Sequence, residues 1–167
     1  MPEAIILDLD SILLNTYGKQ EGRAFNFHYQ SNGYHPLVCY DGITGDLIKI
    51  QLRNGTHYSS TMGNFIKERK TGFDFASVIS HKRIVNADRL QIHAFAYNIF
   101  NWFRRPALSA NMRKQRIGTV RLKLLKIAAK VIRSARYITF KLCSSCPYKD
   151  EFYNTLYNIS KLCIQLE

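Results

Sequence analysis

Between Arg104 and Lys141 the sequence has no acidic residue, although the same interval carries 12 lysines and arginines. A stretch of one sign that long points to a polyanionic partner; the competing reading is a solvated basic face, or the basic tail of a larger protein. Long apolar runs are also missing. The richest, Ala94 to Phe103, is broken by Asn98 and Asn101 and falls far short of the ~20 residues that cross a bilayer. No membrane partner is therefore expected. Glu3, Asp8 and Asp10 interrupt the first apolar run, which argues against a secretory leader. Cysteine is scarce: Cys143 and Cys146 stand at C-x-x-C spacing, which alone fits half a zinc site or a redox pair, Cys39 and Cys163 stand apart, and the nearest upstream histidine to the pair is His93. A structural zinc needs four ligands, so buried or idle thiols in a reducing cytoplasm are the favoured reading. No internal repeat, heptad array or low-complexity linker is present.

What remains is an ordinary globular composition, with 46% hydrophobic residues in 167, enough to build a core. The charge is unevenly placed. Residues 1–80 hold 7 Lys and Arg against 8 Asp and Glu, whereas the remaining 87 hold 17 against 4.

Ala4 to Leu9 is a short, nearly continuous apolar run ending in alternating acids, the pattern of a buried strand with Asp10 at its tip. Residues 24–29 are ambiguous. Pro36 to Tyr40 and Asp46 to Leu52 read as strands joined through the Gly/Asp-rich DGITGD, and NGT at 54–56 closes the segment with a turn. The expectation for residues 4–53 is three antiparallel strands led by an acidic one. Residues 61–70 turn helical. Asn86 to Arg105 is a long helix candidate with Asn86 as N-cap and Pro106 ending it; it is apolar on nearly every side, so it is central to a core or packed against something missing. Residues 113–135 read as an amphipathic helix, with Ile117, Val120, Leu124, Val131 and Ile132 on one side and Arg116, Lys123, Lys126, Lys130 and Arg133 on the other. That basic stripe is a candidate phosphate-tracking surface. Arg136 to Cys143 reads as a strand and Tyr148 to Leu162 as a last helix.

The runs IILDLDSILLNTYGKQEGRAFNFHYQ, GYHPLVCYDGITGDLIKIQLRNGT, NFIKERKTGFDFASV and NADRLQIHAFAYNIFNWFRR, with LKLLKIAAKVIRSARYITFKLCSSCPY, together resemble the DDE group 1 transposases of bacterial insertion sequences over nearly the whole chain. The resemblance implies an α/β (α+β) class and an incomplete ribonuclease-H-like domain: a three-stranded antiparallel sheet start (1–58) followed by a mostly helical, basic C-terminal part (61–167) of one truncated domain. In that family three carboxylates hold two divalent ions, normally Mg²⁺, for DNA strand cleavage and transfer. Asp10 matches the first, as both catalytic and metal-binding residue, and Asp8 lies two positions away on the same strand face. The family's Tyr-x-x-Arg-x-x-x-Glu-x-x-x-x-x-x-Lys helix places Thr56, Ser59, Gly63 and Lys70 at the four motif positions, so only the lysine survives and Lys70 joins the candidate DNA contacts. Glu68 lies five positions beyond Gly63, ~140° around a helix from the required face. The long segment that normally carries the second Asp is missing between NGTHYSS and NFIKERK, and the family's region ahead of the first strand is missing as well.

The resulting expectation is a transposase-derived, catalytically defective protein acting on DNA in the cytoplasm, associated with the nucleoid and capable of self-association through apolar surface that the deletion exposes. Two alternatives stand beside it. One is a non-catalytic, basic nucleic-acid-binding remnant. The other is a phosphatase of the haloacid-dehalogenase type, whose opening resembles Asp8-Leu9-Asp10-Ser11-Ile12-Leu13, with Asp8 as nucleophile and Asp10 as general acid.

Overall fold

A computed structural model of the chain describes residues 6–57, 72–73 and 78–162. The helix expected over 61–70, with Gly63, Glu68 and Lys70, lies outside the described residues. Two compact units, Met1–Asn101 and Trp102–Glu167, contain mixed helices and antiparallel sheets, an α+β architecture.

In the first unit, strand β1 (Leu7–Ser11) pairs antiparallel with β5 (Leu37–Asp41), which pairs antiparallel with β6 (Leu47–Gln51). This is the expected three-stranded sheet led by the acidic strand. The DGITGD connection closes as expected, because the two Asp41 carboxylate oxygens accept from the Ile43 N–H and the Thr44 hydroxyl, both at 2.9 Å, while Gly45 takes φ +72°, a left-handed conformation that side chains disfavour.

A second three-stranded sheet was not anticipated. It is built from β2 (Leu14–Asn15), β4 (Ser31–Tyr34) and β3 (Ala24–Asn26) in that spatial order. The ambiguous 24–29 segment is thus a strand followed by a turn, and Asn26 organises the turn by accepting from the His28 and Tyr29 N–H groups at 3.0 and 3.1 Å. The chain passes between the sheets at Ile12–Leu13 and again at His35–Pro36, and the Ile12 N–H donates to the Pro36 carbonyl at 3.2 Å where the two crossings meet. Close backbone approach explains Gly55: a Cβ there would sit 2.2 Å from the Ala24 carbonyl oxygen and 2.6 Å from that of Gly33.

Helix α1 (Arg83–Ala107) buries Leu90, Ala94 and Tyr97 among Ile12, Leu14, Tyr34, Val38, Tyr40, Leu47, Ile50 and Leu52. Its N-terminus differs from expectation. Asn86 lies inside the first turn and bridges the Ser80 N–H and carbonyl at 3.2 and 2.9 Å. The exposed Arg83 N–H is instead satisfied by the Glu21 carboxylate at 3.0 Å, an anion at the positive end of the helix dipole. Pro106 sits in the last turn, one residue before the end, where its ring no longer interrupts a long ladder.

The two asparagines that break the apolar run of α1 have a structural use. Asn98 accepts from the Leu47 N–H at 2.9 Å and donates to the Leu47 carbonyl at 2.8 Å, standing in for a neighbouring strand on β6. Gln91 donates to the Ile50 carbonyl at 2.8 Å and Asn101 to that of Gly45 at 3.1 Å. The strand's open backbone groups are met by helix amides, one way in which an edge is covered. The opposite side of the helix stays open, with Ile92 and Phe95 67% and 68% exposed.

The second unit contains α2 (Ala110–Arg113), α3 (Ile117–Leu124), the antiparallel pair β7 (Ala129–Arg133) and β8 (Ile138–Leu142), and α4 (Lys149–Ser160). The last strand and helix fall where the pattern placed them. The single amphipathic helix over 113–135 does not form. Its first part becomes α2 and α3, and residues 129–133 become a strand, because Val131 and Ile132 favour a pleated backbone and a partner strand lies only a tight turn away. That turn closes with the Ser134 N–H donating to the Tyr137 carbonyl at 2.9 Å. Of the expected core stripe only Ile117 and Val120 are buried, while Val131 is well exposed.

Candidate functional site

Asp10 is fully buried, 0% exposed, inside β1 and not at its tip. Its register partner is Val38, and that of Asp8 is Tyr40, so both acids face the side of the sheet that carries the core. The Asp10 Oδ1 accepts from the Ser11 N–H at 2.6 Å. Tyr29 lies close by: burial raises its hydroxyl pKa first, and the negative charge of Asp10 raises it further. The Tyr29 ring meets the His35 ring edge-on at 5.5 Å. His35 is completely buried, its Nδ1 lies 2.9 Å from the His57 carbonyl, and its Nε2 has no hydrogen-bond partner among the described residues. Burial is the main cause that pushes the His35 pKa down. None of these histidine and tyrosine neighbours was singled out from the sequence; HYQSNGYH carries no spacing that marks them.

The chemistry expected of Asp10 needs a set of carboxylate oxygens around two divalent ions. Among the described residues no group of three His, Cys, Asp or Glu side chains could hold a metal ion, and Asp10, the carboxylate expected to begin such a set, is sealed from solvent. The described residues therefore do not fit the metal pair. Thr56, expected at the tyrosine position of the motif, is exposed.

The candidate basic residues divide into different settings. Arg116 is the exposed N-cap residue of α3. Lys123 is only 17% exposed and its Nζ is 3.1 Å from Glu151 Oε1, with the Tyr148 ring 5.1 Å away. That hydrogen bond is the first cause holding the Glu151 carboxyl below its usual pKa. Lys123 thus ties α3 to α4, which corrects its reading as one of a row of solvent-facing phosphate contacts. Lys126 is exposed beyond the end of α3. Lys130 and Arg133 are exposed on β7, where an odd separation of three puts them on opposite faces. The basic stripe of one continuous helix is therefore replaced by a two-stranded ribbon.

On that ribbon Lys130 is the direct register partner of Lys141. Two like charges held side by side on a small sheet destabilise it unless an anion lies between or over them. Val131 pairs with Phe140 on the other face, and Phe140 is 64% exposed. Lys141, Phe140 and the exposed turn residues Arg136 and Tyr137 were not among the sequence candidates. The alternation in VIRSARYITFKL holds the signal, which the longer helical period masked.

The chain thus joins a strand with two aspartates to a C-terminal unit whose stretch from Arg104 to Lys141 is basic and free of acids. The family described as Transposase DDE domain group 1 matches it over residues 1–63 and again over residues 59–164. The protein belongs to that family, whose work is DNA transposition. No curated protein and no solved structure matches the chain. No helix among the described residues is long and apolar enough to cross a membrane.

Proposed function

We propose that the protein is an internally deleted DDE transposase derivative that binds nucleic acid through its C-terminal unit and lacks strand-transfer chemistry. The observation that carries this reading is the ribbon: Lys130 and Lys141 are adjacent, exposed and without an acidic neighbour in the sequence from Arg89 to Lys149. A phosphate backbone supplies the negative charge that this surface needs.

The catalytic defect is supported from two sides. The family matches in two segments that overlap at residues 59–63, the junction at which the expected middle of the domain is missing and Gly63 stands at the glutamate position. The sheet of β1, β5 and β6 agrees with an incomplete ribonuclease-H-like start, in which β1 pairs on one side with β5 and, among the described residues, with no other strand. On this reading the whole chain is one remnant of a single domain, Asp10 is a relic of the metal site, and Mg²⁺ belongs to the ancestral enzyme. Lys70, Arg116, Lys126, Lys130 and Arg133 are the DNA contacts retained from the sequence, joined by Lys141. The place of action is the nucleoid in the cytoplasm, and the open Ile92, Phe95 and Ile99 side of α1 is the surface for self-association.

The test is a pair of assays on the full chain. DNA binding followed by fluorescence anisotropy is expected to be sequence-tolerant and to weaken steeply with salt; tight binding unaffected by salt overturns the nucleic-acid reading. Incubation of labelled DNA with Mg²⁺ is expected to yield no cleavage or joining. A Mg²⁺-dependent product abolished by Asp10→Ala overturns the defect.

A further inference from the structure

We propose that Cys143 and Cys146 form a dithiol that closes reversibly to a disulfide by exchange with small disulfides, a modification site separate from any transposase chemistry. The two cysteines are the first and last residues of a turn centred on Ser144 and Ser145, and the Cys146 N–H donates to the Cys143 carbonyl at 3.2 Å. A turn of this kind holds its end Cα atoms within about 7 Å, and a disulfide bridges Cα atoms about 4.4–6.8 Å apart. Both ends of the turn are pinned. The Cys143 N–H donates to the Ala128 carbonyl at 3.0 Å, so the β7–β8 ladder runs out on the first cysteine, and the Lys149 N–H donates to the Cys146 carbonyl at 3.3 Å as α4 begins. The two thiols are presented by fixed backbone and do not have to meet through a floppy loop.

Their surroundings supply access and an order of events. Cys143 is exposed and Cys146 half-buried, and both line an open cavity of about 170 Å³ together with Leu142, Lys149, Phe152 and Tyr153. An incoming disulfide meets Cys143 first. The Cys143 thiolate attacks one sulfur, the small S–S bond breaks, and one small thiolate leaves. The Cys146 thiolate then attacks the Cys143 sulfur of the mixed disulfide, forming the Cys143–Cys146 bond and expelling the second small thiolate. In the balance the protein loses two electrons and two protons, and one small disulfide becomes two thiols. Zinc is the competing use of such a pair, but it needs further ligands, and among the described residues no third one is at hand.

The chain itself provides the assay. Trypsin cutting after Lys141 and Lys149 releases Leu142–Lys149, a peptide holding both cysteines and no other. The full-length protein is equilibrated with oxidised and reduced glutathione at varied ratio, alkylated and digested. The expected product is this peptide two hydrogen atoms lighter and unalkylated, its fraction rising with oxidised glutathione and returning to zero in excess thiol. Serine is nearly isosteric and keeps the turn, so Cys146→Ser is expected to stop at a mixed disulfide of glutathione on Cys143. Three results each overturn the proposal: both thiols alkylated at every ratio, a bond mapped to Cys39 or Cys163, or stoichiometric zinc released when the thiols of the purified protein are modified.

Discussion

Replacing Lys141 by glutamate is expected to make the ribbon more stable and the protein a weaker DNA binder, two effects of opposite sign from one side chain. Lys130 and Lys141 are direct partners across β7 and β8, where an opposite-charge pair gains about 0.2–1 kcal/mol and a like pair is unfavourable. The opposite-charge pair that Lys141→Glu creates with Lys130 therefore stiffens the hairpin, read as slower amide exchange over 129–133 and 138–142. Each phosphate contact contributes about 0.9 to the slope of log K against log salt. At about 0.1 M salt, loss of one contact lowers affinity about 8-fold and loss of two about 60-fold, the latter with a slope shallower by about 1.8. Lys141→Glu removes one contact and occupies Lys130 with an internal partner, so it should approach the two-contact figure, which Lys130→Ala/Lys141→Ala defines. Anisotropy titrations with a labelled duplex over a range of NaCl concentrations measure both affinity and slope. If the glutamate variant loses affinity and hairpin protection together, the lysine is structural and the reasoning fails; if affinity falls with an unchanged slope, the contact is not to phosphate.

Three further outcomes follow from the first unit. Asn98→Ala strands the N–H and carbonyl of Leu47, and a cost of about 2 kcal/mol is expected at about 1 kcal/mol per bond, seen as a lower urea midpoint at unchanged m-value. Glu21→Ala removes the carboxylate from the start of α1 and should cost about 0.5–2 kcal/mol, as other N-terminal caps do, with Glu21→Asp recovering less than the full amount because the shorter side chain does not reach. The folded-state pKa of His35 lies below 6.5, so the unfolded chain takes up a proton in a range where the folded chain does not. Stability is therefore highest above about pH 6.5 and declines as the pH falls from there to the folded-state pKa. His35→Asn, which keeps a donor for the His57 carbonyl, should flatten that part of the unfolding curve.

Much of the chain was legible from pattern alone, and the successes share a cause. The β5–β6 hairpin, strand β8 and helix α4 are elements whose local chemistry and burial agree: DGITGD has the carboxylate and the glycine that its turn uses, and Tyr148 to Leu162 carries a helical period with Asp150 and Glu151 in the first turn. Helix α1 was also plain, although its start was misplaced because the group that caps it, Glu21, is 62 positions away. The stretch 113–135 misled because its apolar residues satisfy a helical period while β-branched Val131 and Ile132 find a strand partner in 138–142. The second sheet stayed hidden because β2 and β3 are two and three residues long, too short to show an alternation.

For the candidate sites the division is similar. The sequence by itself determined the membership of the family, the aspartates of the first strand and the separation of a near-neutral part from a strongly basic one, since these depend only on which residues occur and in what order. Only the tertiary structure decided that Asp10 is sealed inside a core, that Lys123 is bound to Glu151, and that Lys130 stands beside Lys141 on an exposed ribbon. Burial and pairing are set by what folds against a side chain, and those partners lie from 11 to 28 positions away, beyond the reach of any local period.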